Sequence, residues 1–133
     1  MAFVLVDTSV WIDFFRGRLP KELKHALLLL LEGNQVAITD VITHELLVGA
    51  AHRKSYDELK ELLAPLTEYS VSPNERPDLN RFGFDLKKRG LLGRYADLTV
   101  AFLSKQHGAP VLSLDHYFKT LALHGIIRVL EWR

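Results

Sequence analysis

Four short apolar runs, at 3–6, 36–38, 110–114 and 126–130, alternate with longer stretches in which apolar residues recur every three or four positions. Strands alternating with helices imply crossover connections and a mostly parallel sheet covered by helices on both faces. The first three runs lack polar alternation, as buried strands do, whereas Arg128 between Ile127 and Val129 gives the last the pattern of an edge strand. Helical periodicity predicts helices at 9–15, 20–31, 40–51, 56–63, 80–89, 95–106 and 117–123. Gly33, Gly90 and Gly108 are natural stops, and Pro20 and Pro65 mark boundaries. Residues 70–78, with two prolines and several polar side chains, read as a surface connection. The expected fold class is α/β, a three-layer α/β/α arrangement around a central mostly parallel sheet.

A chain of 133 residues with 48% hydrophobic content supports one substantial core, so 1–133 is read as a single domain. A net charge of +1 means that any attraction for nucleic acid must come from a local basic patch. The absence of cysteine removes disulfides and thiolate metal sites. The apolar start stops at Asp7 without a basic flank, unlike a signal peptide, and the leucine run at 27–31 is far shorter than the roughly 20 residues of a membrane span. These features imply a cytoplasmic protein without a membrane segment. The leucine run implies a helix buried on several sides or covered by a second subunit.

Four acids stand out. Asp7 closes the first apolar strand and Asp115 follows the third, so both lie at the carboxyl edge of a parallel sheet, where such folds build ligand crevices. Glu45 shares the stripe of Ile42, Leu46 and Gly49, and Gly49 suggests a close approach there. Asp97 sits beside the stripe of Tyr95, Leu98, Ala101 and Phe102. Individually, Asp7 and Asp115 also suit helix N-caps, and Asp97 suits a first helical turn. Together, carboxylates converging in one crevice would repel one another unless a cation neutralised them. All-oxygen ligands suit Mg²⁺ or Mn²⁺. Such an ion supports phosphodiester hydrolysis by an external water, leaving a 5′-phosphate rather than a cyclic 2′,3′-phosphate.

Val6-Asp7-Thr8-Ser9-Val10-Trp11-Ile12, Glu45-Leu46-Leu47-Val48-Gly49, Asp97-Leu98-Thr99-Val100-Ala101 and Leu112-Ser113-Leu114-Asp115-His116-Tyr117-Phe118 resemble, in order and spacing, the four acidic motifs of PIN-domain ribonucleases. Size and ending are similar to the VapC toxins of toxin-antitoxin pairs. The resemblance implies a PIN-like fold and a metal-dependent endoribonuclease with Asp7, Glu45, Asp97 and Asp115 as catalytic and metal-binding acids, supported by the hydroxyl of Thr8 or Ser9. It also implies an RNA substrate, a homodimer, and a cognate antitoxin whose carboxyl-terminal segment blocks the acidic pocket. Ser113 stands where the family commonly has threonine, and Tyr117 stands where many relatives carry a further acid. One ion or two stays open.

Lys88, Arg89 and Arg94, with Lys87, Arg16, Arg18 and Lys21, are candidate contacts for RNA phosphates, although cations at a helix carboxyl end are also favoured by the dipole. The competing function is a non-catalytic PIN-like module that binds RNA or protein. A zinc-protease motif at His44-Glu45 fails because position 48 is Val48, and an aspartyl phosphatase would want an acid where Ser9 stands.

Overall fold

Val4–Val6 forms β1 in the computed structural model, which describes residues 2–132. The chain continues through α1 (Thr8–Phe15), α2 (Lys21–Glu32), β2 (Val36–Thr39), α3 (Asp40–Val48), α4 (Arg53–Leu63) and β3 (Thr67–Tyr69). A 3-10 turn at Pro73–Glu75 leads into α5 (Arg76–Lys88), then α6 (Tyr95–His107), β4 (Val111–Leu112) and α7 (His116–Leu123). The strands pair in parallel in the order β3-β2-β1-β4, making the central layer of an α/β/α fold. Among the described residues no helix is long and apolar enough to cross a membrane.

β1, β2 and β4 are buried at every position, the environment their uninterrupted apolar sequences require. β3 carries no such run. Thr67-Glu68-Tyr69 is a half-covered edge strand, held in register by pairing with Ala37, Ile38 and Thr39 of β2, and hydropathy alone does not mark it. The run at 126–130, expected to be an edge strand, forms only a single parallel bridge between Val129 and Val111. Two-residue β4 offers too short a ladder for more.

Three helix boundaries also move. α3 ends at Val48 because Gly49 is its C-cap, and the nearest neighbour to a Cβ at Gly49 would be the helix's own Glu45 carbonyl oxygen, so no other element approaches there. α4 begins at Arg53, capped by reciprocal bonds in which the Ser55 N–H donates to His52 Nδ1 (3.3 Å) and the His52 N–H donates to Ser55 Oγ (3.2 Å). α5 begins at Arg76, inside the presumed connection. Pro77 occupies its first turn, where a missing N–H costs nothing.

Trp11 and Phe118 are the largest fully buried side chains. The Trp11 indole N–H donates to the Val6 carbonyl (3.2 Å), and this bond folds α1 back onto the end of β1 with Asp7 at the corner. In α2, Leu23 and Leu27 face the core while Leu28 and Leu29 are exposed, so the leucine run is buried on one side only.

Gly83 of α5 brings that helix against α6, where a Cβ would lie 3.0 Å from Leu98 Cδ2. Gly83→Val overfills this contact and is expected to lower stability by about 1–3 kcal/mol, read as a lower urea midpoint. An unchanged midpoint would contradict the α5–α6 packing.

Candidate functional site

Strand order creates the site. From β1 the chain steps outward to β2 and β3, then crosses back to place β4 on the other flank of β1, so the β1/β4 boundary is the topological switch point. The ladder there reaches Asp7, whose N–H donates to the Leu112 carbonyl (3.0 Å). This register puts the residue after β4, Ser113, beside the Asp7 side chain.

Ser113 and Ser9 both donate their hydroxyls to Asp7 Oδ2, at 2.8 and 2.9 Å. Each hydroxyl is held from behind, since Ser113 Oγ accepts from the Asp115 N–H (2.9 Å) and Ser9 Oγ accepts from the Leu114 N–H (3.1 Å). With both hydroxyl protons committed to Asp7, the 3.3 Å approach of the two oxygens is a consequence of shared aim rather than a further bond.

Asp7 is only 6% exposed. Burial raises its pKa above the ordinary aspartate value, against the hydroxyls of Ser113 and Ser9 and the backbone of Thr8 and Ser9, which pull it down. Its surroundings thus supply donors to the carboxylate but leave its charge under-compensated, which a cation would correct.

Asp97, also buried, sits in the first turn of α6, where its Oδ2 accepts from the Arg94 N–H (3.2 Å) and lies 3.5 Å from Arg94 Nε. Tyr117 closes this corner. Its hydroxyl donates to the Leu91 carbonyl (2.7 Å) and accepts from the Gly93 N–H (3.1 Å). Burial raises the phenol pKa, the Gly93 bond opposes this, and the charges of Asp97 and Asp115 add to the rise, so Tyr117 stays a neutral donor. Gly93 is obligatory here, because a Cβ would lie 2.9 Å from Tyr117 Cζ and 3.1 Å from Asp97 Oδ2.

Glu45 is half-buried on α3, and Thr8 Oγ1 donates to its Oε1 at 3.4 Å. Asp115 is exposed and caps α7, with Oδ1 accepting from the Tyr117 N–H (3.0 Å). Asp7 is linked to Asp115 through Ser113, Asp115 and Asp97 flank Tyr117, and Glu45 joins by way of Thr8, next to Asp7. The four acids therefore occupy one edge of the molecule. They are not drawn into one tight cluster: among the described residues no group of three or more acidic or histidine side chains is arranged to hold a metal ion. Donor chemistry nevertheless fits a hard ion such as Mg²⁺, which uses one or two carboxylates and keeps several waters.

Arg94 extends from the start of α6 with 74% of its side chain exposed. Lys88 and Arg89 are exposed at the end of α5, and the Lys88 ammonium lies 5.3 Å from the Phe84 ring centroid. Ser113 as a direct partner of Asp7, and the Tyr117–Gly93 clamp, are absent from any motif logic based on acids. The hydroxyl retained at Ser113 within the fourth motif and the glycine at position 93 just before the Asp97 helix are the signals the chain offers for them.

A family model described as PIN domain matches residues 4–123. No curated protein is matched in sequence. Among solved structures, the chain is similar to one in DNA-bound VapBC from Salmonella typhimurium, with a TM-score of 0.77, 16% identity and full coverage (100%) of both chains. It is similar to one in FitAcB from Neisseria gonorrhoeae, with a TM-score of 0.74, 22% identity and 97% of each chain covered. VapBC-5 from Mycobacterium tuberculosis, of the VapBC family of toxin-antitoxin systems, gives 0.69 and 23%, covering 98% of this chain and 99% of the other.

Two outcomes follow from this geometry. A raised folded-state pKa at Asp7 means stability that is complete below the unfolded aspartate pKa of about 4 and is lost as pH rises through the folded value. In EDTA, urea midpoints of the native chain are expected to fall with increasing pH relative to Asp7→Asn, and parallel profiles would contradict it. Tyr117→Phe keeps the ring but strands Leu91 O and Gly93 N–H. It should cost about 1 kcal/mol and speed amide exchange at Gly93.

Proposed function

The chain belongs to the PIN-domain family, and on that premise we propose that it is a divalent-metal-dependent endoribonuclease acting as the toxin of a toxin-antitoxin pair. The observation that carries this reading is Asp7: a buried carboxylate at the sheet's switch point, aimed by two seryl hydroxyls and short of positive charge. Similarity to chains of VapBC and FitAcB complexes supports the toxin-antitoxin part.

In this reading Asp7, Glu45, Asp97 and Asp115 would hold Mg²⁺ or Mn²⁺, with Asp7 and Asp97 the two buried carboxylates among them. When bound, the ion would supply an activated water and offset charge building on phosphorus. Ser9 and Ser113 keep the Asp7 carboxylate in one orientation, and Thr8 does the same for Glu45. Tyr117, by gripping Gly93, holds the turn that presents Asp97. Arg94, with Lys88 and Arg89, meets RNA phosphates at the rim.

An antitoxin would find its surface in a groove of about 800 Å³ between α1, α3 and α4. Ile12, Phe15 and Leu62 line it with exposed apolar surface, and Thr8 and Glu45 stand at its acidic end. Exposed Leu28 and Leu29 on α2 are consistent with a homodimer contact. A cytoplasmic setting accords with a chain that reads RNA and has no cysteine.

Cleavage-site mapping on total RNA tests the proposal. Expected are Mg²⁺- or Mn²⁺-dependent cuts bearing 5′-phosphates, abolished by EDTA. Ser113→Ala should lose about 10–100-fold, the usual effect of removing a ligand's supporting bond. Asp7→Asn and Asp97→Asn should lose more. Excess metal should also stabilise the native chain, by about 2.7 kcal/mol at a hundredfold excess over Kd. No cleavage and no metal-induced shift would favour the non-catalytic binding module, and cyclic 2′,3′-phosphate ends would refute the metal mechanism.

A further inference from the structure

A second cleft lies on the outer side of β4. The Val111 N–H donates to the Arg128 carbonyl (3.0 Å) and the Leu130 N–H to the Val111 carbonyl (2.8 Å), so the final segment runs parallel to β4 and continues past its end. It arrives at the same sheet edge as Asp115. Between this segment and α7 is a cleft of about 140 Å³ whose lining includes Ser113, Asp115, Phe118, Lys119, Glu131 and Trp132. That volume is well below the roughly 300–1,000 Å³ of pockets for drug-sized ligands, and it suits a single planar ring.

Three features narrow the ligand. Trp132, half-buried against the core, is the aromatic wall of the cleft, and fully buried Phe118 lies beneath it out of a ligand's reach. Asp115 and Glu131 are exposed at the rim, where carboxylates repel phosphate but accept from N–H donors. Exposed Lys119 gives one cation at the mouth, suited to a carbonyl or to a backbone phosphate lying outside. Ser113 is the shared wall, because it lines this cleft and also donates to Asp7 Oδ2.

We propose that this cleft is a nucleobase subsite, taking one unpaired base of the RNA strand adjacent to the bond that is cut and favouring bases with an exocyclic amino group. Unpaired bases are recognised in this way, by stacking on an aromatic ring with polar groups reading their edges. A base seated beside Ser113 leaves its own backbone next to Asp7. The inference rests on the ribonuclease reading, and it converts a general nuclease edge into one that selects the nucleotide beside the cut.

The full-length Asp7→Asn protein in EDTA separates the two. Trp11 is fully buried with its N–H engaged, so Trp132, the second of two tryptophans, is the fluorescence reporter of the cleft. CMP and AMP are expected to quench it saturably and UMP more weakly, with inorganic phosphate silent. Glu131→Gln should narrow the difference between CMP and UMP. In the active protein, Trp132→Ala should lower kcat/KM about 10-fold whichever base lies beside the cut, the scale of one lost stacking contact, and Trp132→Phe should retain most of the activity. Equal quenching by phosphate, no quenching by any nucleotide, or an unchanged kcat/KM in Trp132→Ala would overturn the subsite. Saturable nucleotide quenching in a chain whose wild type cuts no RNA would instead overturn the nuclease reading and leave the subsite standing.

Discussion

One backbone hydrogen bond organises the working edge of this protein: the Asp7 N–H to the Leu112 carbonyl, at 3.0 Å. It extends the β1/β4 ladder one residue beyond the strand and thereby fixes where two chain segments more than a hundred residues apart meet. Side chains in parallel strands alternate faces, so a slip of one position would turn Ser113 away from Asp7. The pairing of Val6 with Leu112 is what keeps the Ser113 hydroxyl 2.8 Å from the carboxylate.

Burial of Asp7 then makes a structural feature into a chemical one. A carboxylate on the surface would be solvated and indifferent. At 6% exposure, with hydroxyls aimed at one oxygen, it is oriented but electrostatically unfinished. Asp97 differs, since the Arg94 N–H and guanidinium already attend it. Asp115, exposed and engaged as a helix cap, contributes least to burial and most to access. The acids are thus unequal partners, a distinction that their common residue type conceals.

Around this edge, two recesses flank the switch point. The groove of α1, α3 and α4 is large and largely apolar, while the cleft between α7 and the final segment is small and edged with charge. Thr8 and Glu45 belong to the first and Ser113 and Asp115 to the second, so each opens onto a different acid of the same edge. A macromolecule lying across the edge would engage them together.

The amino-acid sequence by itself determined the layered α/β class, the three buried strands and most helices, because uninterrupted apolar runs and helical periodicity report burial directly. It also singled out Asp7 and Asp115 at the ends of apolar strands, Glu45 on an apolar helix stripe and Asp97 beside another. Strand β3 escaped it, since the backbone pairing of Thr67-Glu68-Tyr69 with β2 leaves no hydropathy signature, and so did the start of α5 at Arg76, hidden by prolines that a first turn tolerates. Only the tertiary structure decided that the acids spread along an edge instead of closing on one point. Only it showed that Ser113 serves Asp7 and that Tyr117 clamps Gly93. Those contacts join segments distant in the chain, and their geometry depends on strand order and register, which no local pattern encodes.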